Sequence, residues 1–227
     1  NVEPFTTGWK FRPGETEDAM QPGLDDAQWR SLDLPHDWSI EGEFSPDHPA
    51  TVGGGALPGG IGWYRKSFSL PDGAEGKHVF IEFDGVYQES EVWINGHSLG
   101  SRPNGYISFR YELTPFLYRG DSLNLLAVRV DNSNQPNSRW YSGSGIYRDV
   151  RLVMTEPVHV AHWGIFVTTP DVSDDQAIVQ VETSLRNREA VLQEVEVTTR
   201  IMDTAGKEVA VRKDALNLAP GGKGKTQ

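Results

Sequence analysis

The chain has 227 residues with a formal charge of −11, long enough for two modest domains and their cores, and too acidic for a nucleic-acid or anionic-membrane partner, which would need a basic stripe. It contains no cysteine, which excludes disulfides, thiolate metal sites and a thiol nucleophile. With 24 Gly and 14 Pro and no long apolar period of helical spacing, the composition favours a turn-rich β protein. The start, Asn1-Val-Glu-Pro-Phe5, lacks a basic-then-apolar pattern, and no run of some 18 apolar residues occurs anywhere. A soluble chain is expected. Its compartment stays open, periplasmic or extracellular if a signal peptide was removed.

In chain order, Phe5 to Phe11 alternates as a strand does, and Asp25 to Arg30 reads as a short helical turn. From Glu41 to Gly62 the chain has three prolines, seven glycines and no period, which predicts a long irregular loop. Trp63 to Leu70 and Lys77 to Phe83 read as strands on either side of the Pro71-Asp-Gly73 turn. Glu91 to Ile94 and His97 to Leu99 flank Asn95-Gly96, a pair suited to the positive φ angles of a tight hairpin. Tyr106 to Leu113 and Leu123 to Val130 follow, joined through Arg119-Gly-Asp121, read as a turn. Short strands with a turn every ten or so residues predict an antiparallel β-sandwich of the jelly-roll type over residues 1–155.

Between Leu123 to Val130 and the strand Asp149 to Val153 lies the loop Asp131-Asn-Ser-Asn-Gln-Pro-Asn-Ser-Arg-Trp-Tyr-Ser-Gly-Ser-Gly-Ile-Tyr-Arg148. Its carboxylate, amides, hydroxyls and guanidinium beside the rings of Trp140 and Tyr141 suit the hydroxyls and C–H faces of a sugar. The same residue types also make ordinary turns, so composition alone leaves both readings open.

Glu156-Pro157 marks a boundary, because the strand pattern restarts after it. Apolar residues at every second position through Gly164–Thr168, Ala177–Leu185, Val195–Ile201 and Val209–Val211 predict part of an immunoglobulin-like sandwich over 156–227. Only four to five strands can be read, against about seven in a complete domain of that type. The missing strands should leave an edge that pairs with a second copy, giving a homodimer, or is poorly ordered. The tail Pro220 to Thr226 imitates a phosphate loop but lacks its first glycine and its helix, and is read as a turn or flexible end. No metal or cofactor is expected. The histidines are scattered, and Asp171, Asp174 and Asp175 lack the glycine-centred loop that calcium binding uses.

The runs Leu34-Pro-His-Asp-Trp-Ser39, Gly62-Trp-Tyr-Arg-Lys-Ser-Phe68, Phe83-Asp-Gly-Val86, Val92-Trp-Ile-Asn-Gly96, Gly105-Tyr-Ile-Ser-Phe109, Val130-Asp-Asn-Ser and Arg139 to Arg148 fall in one order. Together they resemble the N-terminal sugar-binding domain of glycoside hydrolase family 2, the β-galactosidase and β-glucuronidase family. The resemblance implies a galactose-binding-like jelly roll, an immunoglobulin-like domain after it, and two catalytic glutamates on a separate (β/α) barrel announced by Asn-Glu. No Asn-Glu occurs here, so no catalytic residue is assigned and the chain is expected to be silent alone. By position, the resemblance implies that Asp131 and Asn132, and also Asp37, help hold a β-galactoside or related sugar in the barrel's pocket. Arg139 either meets the sugar or, as we favour, pairs with a carboxylate; Trp140 either stacks on sugar or plugs a domain interface. A free-standing carbohydrate-binding or adhesion module is the alternative.

Overall fold

A computed structural model describes residues 1–120 and 122–227, so the turn expected at Arg119-Gly-Asp121 ends outside the described residues. The protein is all-β, and its contacts divide it into two units, Asn1–Met154 and Thr155–Gln227.

The first unit is built from β1 (Val2–Pro4), β2 (Trp9–Pro13), β3 (Arg30–Leu32), β4 (Gly60–Phe68), β5 (His78–Phe83), β6 (Ser90–Ile94), β7 (His97–Arg102), β8 (Phe109–Glu112), β9 (Asn124–Asn132) and β10 (Val150–Thr155). One sheet runs β3-β2-β4-β9-β6-β7 and the other β1-β10-β5-β8. The order is far from sequential, as in a jelly roll. Alternation along the central strand β9 explains the layers, because successive side chains leave opposite faces of a strand. Leu126, Val128 and Val130 join Phe11, Tyr64, Phe83 and Ile146 in the main core, while Ala127 packs outward with Trp29, Trp63 and Ala19. The outer layer is pinned by Arg65, which is 2 % exposed. Its guanidinium donates to Asp26 Oδ2 at 2.8 Å and to the backbone carbonyls of Ala19, Gln21 and Leu24.

The expected hairpin at Asn95-Gly96 is present, with φ of +51° and +81°. Two local expectations are corrected. The strand read over Phe5 to Phe11 is broken: β1 ends at Pro4 and β2 begins at Trp9, and the Trp9 Nε1–H donates back to the Phe5 carbonyl at 2.9 Å. Asp25 to Arg30 is not helical. Asp25 Oδ1 accepts the Ala27 N–H and the Asp26 backbone carbonyl accepts the Trp29 N–H, so a local side-chain bond and a short backbone bond make turns instead.

In the second unit, β11 (Val158–Val172), β12 (Ala177–Asn187) and β15 (Lys223–Thr226) form one sheet, and β13 (Gln193–Met202) and β14 (Glu208–Leu218) another. The tail is therefore not a free end: Lys223 to Thr226 pairs with Arg186 to Thr183. Inward-facing Val160, Ile165, Val167, Val179, Val197 and Ile201 line an open cleft of about 480 Å³. Ile165 remains 60 % exposed, so this partial immunoglobulin-like sandwich leaves much of its apolar interior uncovered.

Candidate functional site

The site gathers where the 133–149 loop leaves β9 and returns to β10. β9 runs through Asp131 and Asn132, two residues beyond the predicted end, in register with Ile61 and Gly60 of β4. The two side chains therefore leave opposite faces, by the strand's own period.

Asn132 is 2 % exposed. Its Nδ2 donates to Gly143 O at 2.9 Å and to Ser144 Oγ at 2.7 Å, while its Oδ1 accepts from Gln135 Nε2 at 2.7 Å and Asn137 Nδ2 at 2.8 Å. A carboxamide has two donors and two acceptor positions. All are used, so Asn132 ties the two ends of the loop together and offers nothing to a hydroxyl.

Asp131 lies on the other face. Its Oδ1 accepts from the Ser133 backbone N–H at 3.0 Å and from Ser133 Oγ, and its Oδ2 accepts from Arg129 Nη2 at 3.1 Å. Partial burial opposes ionisation, but the bonds from Ser133 and Arg129 win and hold the carboxyl below its usual range. The Ser133 contact is an Asx turn. One acceptor position on Oδ2 remains.

Asp37 is brought to the loop from far upstream. Its Oδ1 accepts from the backbone N–H of Ser39 at 2.9 Å and of Ser144 at 2.8 Å, and its Oδ2 accepts from the Tyr141 hydroxyl. Burial, followed by the bond to Asp37, pushes the Tyr141 phenol above its usual range. Ser39 Oγ donates to Ser144 Oγ at 2.7 Å, which continues the chain of bonds to Asn132. Behind it, His36 Nδ1 meets Tyr64 Oη at 2.7 Å and His36 Nε2 meets Glu41 at 3.3 Å. Burial lowers the His36 pKa and drives that of Tyr64 well above its usual value.

Arg139 is exposed, and among the described residues no carboxylate holds it, so the pairing we favoured is absent. Trp140 is 61 % exposed and Tyr106 55 %; the indole N–H donates to Tyr106 Oη at 3.3 Å. Tyr106 packs edge-on against Tyr87 with centroids 5.4 Å apart, and Tyr87 Oη donates to Asn137 Oδ1 at 3.2 Å. The sequence reading did not single out Tyr87; Tyr106 and Ser144 fall in runs it quoted, Gly105 to Phe109 and Arg139 to Arg148, but without a task, because no local pattern tells which distant loop an aromatic ring or a hydroxyl will reach. The 41–62 loop also arrives here, since a Cβ on Gly55 would lie 3.2 Å from the Tyr141 ring. The loop thus carries an exposed indole and an exposed guanidinium, with the Asp37 carboxylate tied to it and one acceptor position left on Asp37 Oδ2, groups that can take a sugar's C–H face and its hydroxyls, while the remaining acceptor position of Asp131 lies on the other face of β9.

The sequence profile described as glycosyl hydrolases family 2, sugar binding domain, matches residues 44–157. A β-galactosidase of Bacteroides ovatus is 56 % identical over 206 residues, which are 91 % of this chain and 24 % of that protein. A β-glucuronidase of Formosa agariphila is 33 % identical over 91 % of this chain and 23 % of its own length. Among solved structures, a family 2 glycosyl hydrolase from Bacteroides cellulosilyticus matches with a TM-score of 0.94 and 38 % identity over 99 % of this chain and 30 % of that one. The chain spans about a quarter of the length of these curated relatives. It belongs to glycosyl hydrolase family 2 and carries that family's sugar-binding domain.

Proposed function

We propose that this chain is the non-catalytic N-terminal part of a family 2 glycosidase of β-galactosidase type, with residues 1–155 as the sugar-binding jelly roll and 156–227 as part of the immunoglobulin-like domain. Asp37, Asp131, Arg139 and Trp140 help hold the substrate sugar in a pocket completed by a catalytic barrel of the parent chain. Asn132 positions the loop that carries them. The observation that supports this most is the tying of Asp37 to the loop through Ser144 and Tyr141, the loop on which the Trp140 indole is exposed. The 56 % identity with a β-galactosidase favours a galactoside. In a hydrolysis assay with nitrophenyl β-galactoside the isolated chain should show no turnover above buffer, because the resemblance puts the two catalytic glutamates on a separate barrel announced by Asn-Glu, and no Asn-Glu occurs in this sequence. Efficient turnover by the chain alone would refute the reading.

The uncovered interior of 156–227 supports self-association of the isolated chain. Sedimentation velocity should show a dimer growing with concentration; a monomer across the whole accessible range would count against it.

A further inference from the structure

The outer face of the β11-β12-β15 sheet carries a second feature that the loop site does not use. β11 does not run straight. Its register with β12 jumps between Val160, opposite Leu185, and Ile165, opposite Thr183, so Ala161 to Gly164 bulge against Ser184 alone. Within the bulge Trp163 has a φ of +51°. A bulky L residue avoids that region because its Cβ crowds the carbonyl, at a cost of about 1–3 kcal/mol. Packing offsets little of this cost, for Trp163 is 77 % exposed. The ring is nonetheless held in place: His162 stacks on it with centroids 4.6 Å apart and planes 23° from parallel. A strained backbone that holds a large ring out into solvent is unusual unless the ring is used there.

Beside it is a groove of about 490 Å³ lined by Trp163, Ser184, Arg186, Lys223 and Lys225. The register explains the charge, since Arg186 pairs with Lys223 and Ser184 with Lys225 across β12 and β15, which puts the three cations on one face. Lys225 is held at 2.5 Å by Glu182, so the cations outnumber that carboxylate in a chain whose net charge is −11. We infer that this groove binds an acidic sugar, the Trp163 indole taking the C–H face of the ring and Arg186, Lys223 and Lys225 its carboxylate. A neutral sugar can accept hydrogen bonds from these side chains but gains nothing from their charge, whereas a carboxylate gains both. Nucleic acid is disfavoured by the charge of the rest of the chain.

The test is an NMR titration of the 15N-labelled 227-residue chain with sodium glucuronate and, separately, glucose, which differ at C6. Glucuronate should shift the Trp163 indole N–H signal and glucose should not. Trp163→Gly should weaken binding about tenfold, the loss expected when one stacking ring is removed. Glycine adopts positive φ freely, so this variant should melt at or above the temperature of the parent chain. Lys223→Gln with Lys225→Gln should also weaken binding about tenfold. The inference is overturned if tens of millimolar glucuronate leave the indole signal unmoved, if glucose shifts it equally, or if Trp163→Gly binds as before. It also falls if the loss follows Trp140→Ala instead, which would place the sugar at the loop and leave the proposed function standing.

Discussion

Replacing Asn132 with Ala is expected to destabilise the Asn1–Met154 unit by about 3 kcal/mol and to release the 133–145 loop. The amide of Asn132 bonds to Gly143 O, Ser144 Oγ, Gln135 Nε2 and Asn137 Nδ2 in a place that is 2 % exposed. Truncation leaves those partners unmatched, and each buried polar group without a partner costs about 1–3 kcal/mol. Not all of the loss is felt, because a loosened loop lets water reach some of them. Asn132→Asp should be no rescue. It keeps an acceptor for Gln135 and Asn137 but turns an acceptor, and a buried charge, toward the Gly143 carbonyl. Because the chain has two units, a melt has to be read unit by unit rather than as one midpoint. Hydrogen exchange at Gly145 and Tyr87, whose amides bond each other's carbonyls at 2.9 Å, reports the loop's anchorage directly. Unchanged protection there would contradict the anchoring role.

The second large effect is expected from Gly145→Ala, at about 3 kcal/mol or more. Gly145 has a φ of +128°, which L residues rarely adopt. A Cβ there would sit 2.4 Å from Tyr64 Oη and 2.6 Å from the backbone carbonyl of His36. Neither neighbour can give way easily. Tyr64 is fully buried among Trp9, Phe11 and Trp38, and the His36 N–H already donates to the Ile146 carbonyl. Moving either would break the Tyr64–His36 bond behind Asp37, so circular dichroism melting of Gly145→Ala should show early loss of the first unit. Its effect and that of Asn132→Ala should not add, since both act on one network. A Gly145→Ala chain that melts like the parent would show that the loop is not locked as described.

What was legible in the sequence follows from which forces are local. The strand character of β4 and β9, the alternation in β12 and the Asn95-Gly96 turn depend on near neighbours and are readable. The end of β9 was not. Asp131 and Asn132 look like the start of a polar loop, yet β4 pairs with them to the end, and tertiary pairing overrides their low strand propensity. The error matters because the two-residue period then separates their side chains. The Asp25 turn, the break at Phe5 and the strand at Lys223 were likewise set by distant partners or by side-chain bonds that no periodicity records. At the site, Asp37, Asp131 and Asn132 are named from the sequence by resemblance, and Arg139 and Trp140 from the chemistry of the loop's side chains. Their tasks were not readable: only coordinates separate an amide with every hydrogen-bonding position filled from a guanidinium with none.

The claim on which the account rests is that Asp37 and the loop from Asp131 to Tyr141 present sugar-binding groups to a pocket shared with a further domain of the parent chain. The most direct test is the structure of the parent glycosidase with galactose bound. The account predicts a sugar hydroxyl within hydrogen-bonding distance of the Asp37 or Asp131 carboxylate, or the Trp140 indole against the ring's C–H face. Galactose seated in the catalytic pocket with Asp37, Asp131, Arg139 and Trp140 all beyond contact would contradict it.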